Sequence, residues 1–209
     1  MDLITVGLIA QTIGSILLLG GYAPQIIKLH KTKIPTGISV LFWVMIAIGC
    51  TSILINMHIQ DSPKEVQFTQ LLNAIGAWYT LSLVMYCRHI RGEKTKMNRG
   101  VTFVFCAIFI VILTITYNKP IEQFGHALQV LGTVALLTAY LPQIIHLYKV
   151  KDATGISRWL YVVLSVGLLC VTVNMIITNT SIGIIITEFV NIALLLASFA
   201  MTVHYQNKK

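Results

Sequence analysis

Seven apolar runs, each long enough to cross a bilayer, divide this sequence: Leu3 to Leu29, Ile38 to Met57, Val66 to Cys87, Val101 to Tyr117, Phe124 to Leu147, Trp159 to Ile177 and Ile182 to His204. No other feature narrows the fold as far. Inside hydrocarbon every backbone N–H and C=O needs a partner within the protein, and the residues lack the alternation of a barrel strand, so each run is expected to be a helix. Composition agrees, because 56% hydrophobic and 11% charged residues leave too little polar surface to wrap a soluble domain of 209 residues. The first run has no basic start, carries Asp2 and continues without a small-residue cleavage site, so it reads as a retained span and not as a signal peptide.

The net charge of +8 is explained by where the charges lie. Lys28, Lys31 and Lys33 follow the first run, Arg88, Arg91, Lys94, Lys96 and Arg99 the third, Lys149, Lys151 and Arg158 the fifth, and Lys208 and Lys209 the last. That places 13 of the 15 Lys and Arg residues on one side, with only Lys64 and Lys119 opposite. The positive-inside rule therefore predicts an outer amino terminus and a cytoplasmic carboxyl terminus, and it accounts for the charge without nucleic acid as a partner. Cys50, Cys87, Cys106 and Cys170 all lie within apolar runs and form no CxxC pair. Neither a disulfide framework nor a metal site is indicated, and no cofactor is expected.

The chain also repeats itself. Residues 11 to 59 laid over residues 129 to 177, a constant shift of 118, give 21 identities in 49 positions. Tyr22-Ala-Pro24-Gln25-Ile-Ile matches Tyr140-Leu-Pro142-Gln143-Ile-Ile, and Thr36-Gly37-Ile38-Ser39 matches Thr154-Gly155-Ile156-Ser157. Gln11 matches Gln129, Asn56 matches Asn174 and Asn73 matches Asn191. The predicted architecture is an all-α membrane protein in a 3+1+3 arrangement. Residues 1–92 form one three-helix repeat, residues 93–120 a linker helix and residues 121–209 the second repeat. An odd-numbered unit joined directly to its copy would be inverted in the membrane, so the linker restores a parallel orientation. Parallel repeats are a known transporter plan, with the solute bound near the midplane where the repeats meet.

The duplicated Pro-Gln pairs near the end of each repeat's first helix, the basic loop, the Thr-Gly-Ile-Ser start of the second and the asparagine in the third resemble the PQ-loop family, within the SWEET, SemiSWEET and cystinosin-like superfamily. The resemblance covers nearly the whole chain. It implies seven helices with an outer amino terminus, small-solute transport and alternating access by rocking of two three-helix bundles. One departure bears on the substrate: Ile53 and Val171 stand where the sugar-packing Trp of SemiSWEETs is found, and Asn56 and Asn174 replace the Tyr of the following Tyr-Gly pair.

Pro24 and Pro142 deprive the carbonyls of Gly20 and Thr138 of helical partners, which suits hinges for an inner gate, with Tyr22 and Tyr140 beside them. Gln25 and Gln143 are placed to donate to the freed carbonyls. Asn73 and Asn191, two turns into their helices, must face protein, as solute ligands or as interhelical glue; Asn56, Asn174, Gln11 and Gln129 are further candidates for substrate contact. Glu188, the one carboxylate well inside a run, lies one turn before Asn191, where the first repeat has Gln70. It suits proton coupling, a hydrogen-bonded neutral acid or a partner for a cationic solute. Trp43, Trp78 and Trp159 read as belt or packing residues, and His30, His58, His89, His126, His146 and His204 sit near run ends without metal-ligand spacing. Asn179-Thr-Ser181 fits a glycosylation pattern that abuts the membrane.

With no nucleophile–base set, paired carboxylates or phosphate loop, an enzyme is not expected. The reading is a small-solute transporter, integral and multi-pass, in the plasma membrane, with the lipid bilayer and a small polar metabolite as its partners and H+ as a possible one. The alternatives are a proton-coupled amino-acid carrier using Glu188 and a seven-helix binding receptor without flux. A monomer is sufficient for a pore.

Overall fold

The computed structural model describes residues 2–62, 64–93, 121–180 and 182–208. The expected linker helix, Val101 to Tyr117, lies outside them, as do Cys106 and Ser181 of the glycosylation pattern. The described chain is α-helical: α1 (Leu3–Gly20), α2 (Ala23–Thr32), α3 (Val40–Ile59), α4 (Lys64–Ile90), α5 (Ile121–Val150), α6 (Arg158–Ile177) and α7 (Ile182–Asn207). Five stretches are long and apolar enough to span a membrane: Leu3–Thr32, which joins α1 and α2, then Val40–Ile59, Ile121–Val150, Arg158–Ile177 and Ile185–Asn207. Helix α4 is long enough but less apolar, diluted by Gln67, Gln70 and Asn73. Leu3, Ile4, Leu8, Ile16, Ile182 and Phe189 are all more than half exposed, a surface that suits lipid and not water.

The chain forms two compact units, one of Met1–Ser39 with Tyr140–Lys209 and one of Val40–Ala139. In the first, α1 runs along α6 and α6 along α7. Gly14 meets Gly167 there, and a Cβ on Gly14 would sit 2.8 Å from the Gly167 carbonyl oxygen and 2.8 Å from a Val171 methyl. In the second unit, α3 runs along α4. A Cβ on Gly132 of α5 would sit 3.0 Å from the Gly49 carbonyl oxygen of α3 and 2.7 Å from Ile53. Small residues let helix backbones approach where lipid supplies no hydrophobic drive between helices. Because Gly132 and Gly49 stand 118 residues from Gly14 and Gly167 in opposite senses, the first helix of each repeat lies on the second helix of the other. The packing units therefore cut across the sequence repeats.

Helix ends are preserved in pairs. Lys33 and Lys151, each just past a first helix, hold left-handed φ angles of 52° and 53°. Their N–H groups cap the Leu29 and Leu147 carbonyls at 2.9 and 2.8 Å. Asp61 and Asn179 repeat the pattern after α3 and α6, at 48° and 53°. At the amino end, Asp2 caps α1 by accepting from the Thr5 N–H at 3.1 Å and from the Thr5 hydroxyl. The hydroxyl first, then the N–H, holds this carboxyl below the usual carboxylate range.

Lysine pays a steric penalty in the left-handed region that glycine avoids. Lys151→Gly should therefore stabilise the protein by roughly 0.5–1 kcal/mol, read as a raised Tm in detergent. Gly14→Ala should destabilise it by about 1–3 kcal/mol through overpacking. An unchanged Tm in the second variant would mean that α1 and α6 are not in tight contact.

Candidate functional site

Pro24 and Pro142 occupy equivalent sequence positions but different local structures. In the first repeat the helix breaks: α1 ends at Gly20, the Gly21 N–H turns to the Leu18 carbonyl at 3.3 Å, and Pro24 falls in the first turn of α2. Proline costs nothing there, since that N–H would have no helical acceptor. In the second repeat α5 continues through Pro142. The difference follows from the residues just before the tyrosine, Gly20-Gly21 in one copy and Thr138-Ala139 in the other, glycine being the poorer helix former. Gly21 also leaves room for Leu164, whose side chain would lie 2.4 Å from a Cβ at that position.

The glutamines after the prolines do not turn back to the carbonyls of Gly20 and Thr138, as the sequence reading had them do. Each reaches the Thr-Gly-Ile-Ser turn of the other repeat. Gln25 donates from Nε2 to the Gly155 carbonyl at 2.9 Å and accepts at Oε1 from the Ser157 N–H at 2.8 Å. Gln143 donates to the Gly37 carbonyl at 2.9 Å and accepts from the Ser39 N–H at 2.9 Å. Both glutamines are only 1% exposed, so these bonds are made in a dry environment. A buried turn has no ladder for its backbone groups, and an amide, with donor and acceptor on one plane, satisfies a C=O and an N–H together.

The two turns also touch. The Gly155 N–H donates to the Thr36 carbonyl at 3.0 Å. Gly37 sits at φ 83°, and a Cβ there would lie 2.2 Å from the Asp152 carbonyl oxygen; one on Gly155 would lie 2.3 Å from that of Ile34. Only glycine fits either position. The second turn receives three more donated bonds: Lys28 Nζ to the Ile156 carbonyl at 2.6 Å, and Gln206 Nε2 to those of Ala153 and Ile156 at 2.9 and 2.8 Å. Tyr22 and Tyr140 are buried beside the prolines.

Four of the amides proposed for solute contact pair between helices within their own units. In the first unit Asn174 donates from Nδ2 to Gln11 Oε1 at 3.2 Å. In the second, Asn56 donates to Gln129 Oε1 at 2.8 Å and accepts from Gln60 at 3.0 Å. Gly7 and Gly125 give these asparagines room, since a Cβ would come within 2.8 and 2.9 Å of their Oδ1 atoms. The Oδ1 atoms of Asn73 and Asn191, like that of Asn174, are buried with no hydrogen-bond partner in the protein. Asn191 spends an Nδ2 hydrogen on Glu188 Oε2 at 3.3 Å, whereas Gln70, at the position of Glu188 in the first repeat, donates to the Cys50 carbonyl at 3.0 Å. Trp43 is buried, Trp78 donates to Thr51 Oγ1 at 3.0 Å and Trp159 is exposed.

Sequence reasoning identified the glutamines but missed their acceptors, together with Lys28 and Gln206. The signal was present in the second duplicated motif, Thr-Gly-Ile-Ser, whose conformation only a partner at long range explains.

Residues 6–66 and 124–184 each match the family model described as a PQ loop repeat, in the same 118-residue register as the chain's own duplication. A comparison with curated proteins finds no match.

Two consequences are measurable. Gln25→Ala or Gln143→Ala leaves a turn C=O and N–H unpaired and should lower stability by about 2–4 kcal/mol, a drop in Tm that a surface Gln→Ala would not give. A double-mutant cycle on Asn56 and Gln129 should return a coupling of roughly 0.6–1.7 kcal/mol. A coupling near zero would mean that the pair is not made in the membrane.

Proposed function

The chain belongs to the PQ-loop family, and from that premise we propose that it carries a small polar solute across the plasma membrane by alternating access. The family points to a membrane transporter. The observation that carries the reading to particular residues is the pair of buried, unpartnered carbonyl oxygens on Asn73 and Asn191, the only duplicated asparagines with Oδ1 unpaired in both copies among the described residues. A buried amide oxygen without a partner costs free energy that folding alone does not recover, and a solute N–H or O–H supplies what is missing. Asn56, Asn174, Gln11 and Gln129 then act as the frame that holds the helices, and Pro24 and Pro142, with the glutamines that follow them, as the gate. An apolar Ile53 and Val171 in place of a stacking aromatic favours an amino acid or another small metabolite over a sugar.

Reconstitution in liposomes with a panel of sugars, amino acids and vitamins tests this. Wild type should move at least one solute, and Asn73→Ala/Asn191→Ala should lower that flux by about tenfold or more, with Tm little changed. Flux untouched in the double variant would reduce the asparagines to interhelical glue. Saturable binding without flux would replace the transporter by a binding receptor.

A further inference from the structure

The seam between α6 and α7 in the first unit carries polar groups beyond the Asn191 oxygen assigned to the solute. On α7, Glu188, Asn191, Leu195, Ser198 and Thr202 recur at steps of three and four residues and share one face. On α6, Tyr161, Ser165, Leu168 and Thr172 do the same. The two helices run along one another, and Tyr161 and Thr202 are both buried. Ser165, Thr172 and Ser198 are buried as well. Ser165 Oγ, Ser198 Oγ, Thr202 Oγ1 and Asn191 Oδ1 are buried without a partner in the protein, and Ser198 is 0% exposed, whereas Thr172 donates its hydroxyl to the Leu168 carbonyl at 2.8 Å. Hydroxyls at such depth are satisfied by water.

The first repeat has no such line. At the same register it places Gln70 for Glu188, Ala77 for Leu195, Val84 for Thr202, Ala47 for Ser165, Leu54 for Thr172 and Trp43 for Tyr161. Thr80, opposite Ser198 in the alignment, spends its hydroxyl on the Gly76 carbonyl at 2.8 Å. The copies agree through their glycines, prolines and amide pairs, so the polar seam is particular to the second.

We propose that this seam is a proton path serving Glu188 from the Thr202 end of α7, the cytoplasmic end by the charge asymmetry. It rests on the transporter reading and deepens it by making H+ the coupled ion. A proton from cytoplasmic water binds a hydroxyl or water oxygen, which releases its own proton to the next. The last transfer protonates a Glu188 carboxylate oxygen, leaving a neutral acid beside Asn191, with nothing oxidised or reduced. Leu195, 0% exposed, interrupts the line over roughly 10 Å of helix between Asn191 and Ser198 and is its dry step. Among the described residues of this unit, α6 is packed against α7 and contributes Arg158, Tyr161 and Cys170 as titratable groups. Helix α1, on the other side of α6, contributes none, and α7 itself adds His204 and Tyr205. Glu188 is the one carboxylate on these three helices.

The path can be tested without a solute. Liposomes carrying the full chain, loaded with pyranine and polarised with potassium and valinomycin, report proton leak. Leu195→Ser should leak several-fold faster than wild type, and adding Glu188→Gln or Ser198→Ala should return the leak to the wild-type level. Infrared detection of hydrogen–deuterium exchange at the Glu188 carboxyl gives a second measurement, with exchange slowed several-fold in Ser198→Ala. A Leu195→Ser protein as proton-tight as wild type, a leak that survives Glu188→Gln, or exchange unaffected by Ser198→Ala overturns the path. With a transported solute in hand, wild type should acidify the lumen as solute enters and Glu188→Gln should not; solute flux without acidification overturns the coupling. Failure of every solute in the panel would strike the transporter reading alone, because the leak and the exchange need no solute.

Discussion

A buried backbone N–H or C=O outside a helix needs a partner, and the two Thr-Gly-Ile-Ser turns present four such groups at once. Their solution is reciprocal: the glutamine of each repeat's first helix supplies the partners for the turn that leads into the other repeat's second helix. The glycines at 37 and 155 bring the turns together closely enough for Gly155 to bond Thr36, and a side chain at either position would separate them. Pro24 stands in the first turn of α2, just after the break at Gly20-Gly21, whereas α5 continues through Pro142, so the two glutamines hold their turns from different local backbones.

That reciprocity extends along the helices. Gly14 on Gly167, Gly132 on Gly49, Gln11 with Asn174 and Gln129 with Asn56 are four contacts of one design, each joining a first helix to a second helix from the other repeat. A duplicated sequence makes such an exchange possible at no extra cost, because every interface that a repeat could form with itself it can also form with its copy. Symmetry is relaxed in two places. The first helix of the first repeat is broken at Gly20-Gly21 while that of the second continues through Pro142. The second repeat's third helix also carries a carboxylate where the first has an amide, Glu188 for Gln70, and a hydroxyl where the first is apolar, Thr202 for Val84. The symmetric parts build the scaffold, and the asymmetric parts are where the two repeats differ in chemistry.

Much was legible in the sequence. Apolar length fixes helices because hydrocarbon offers the backbone no other partner, and the described helix boundaries fall within a few residues of the apolar runs. The duplication, its 118-residue register and the Pro-Gln and Thr-Gly-Ile-Ser cores are properties of the string itself, and the family match reproduces the same register. That Asn73 and Asn191 face protein follows from the cost of an amide in lipid.

What the string left open was which copy each helix would meet. Gly14 is as well suited to Gly49 as to Gly167, and Gln25 to Ser39 as to Ser157, since the residues are the same and local propensity does not distinguish them. The tertiary structure made that choice, and with it decided that the glutamines reach across to turns instead of back to their own helix. It also separated Asn73 and Asn191, whose oxygens stay unpaired, from Asn56, whose oxygen accepts from Gln60. Sequence determines which groups must be satisfied; only packing decides by whom, because hydrogen bonds between distant residues depend on where helices cross.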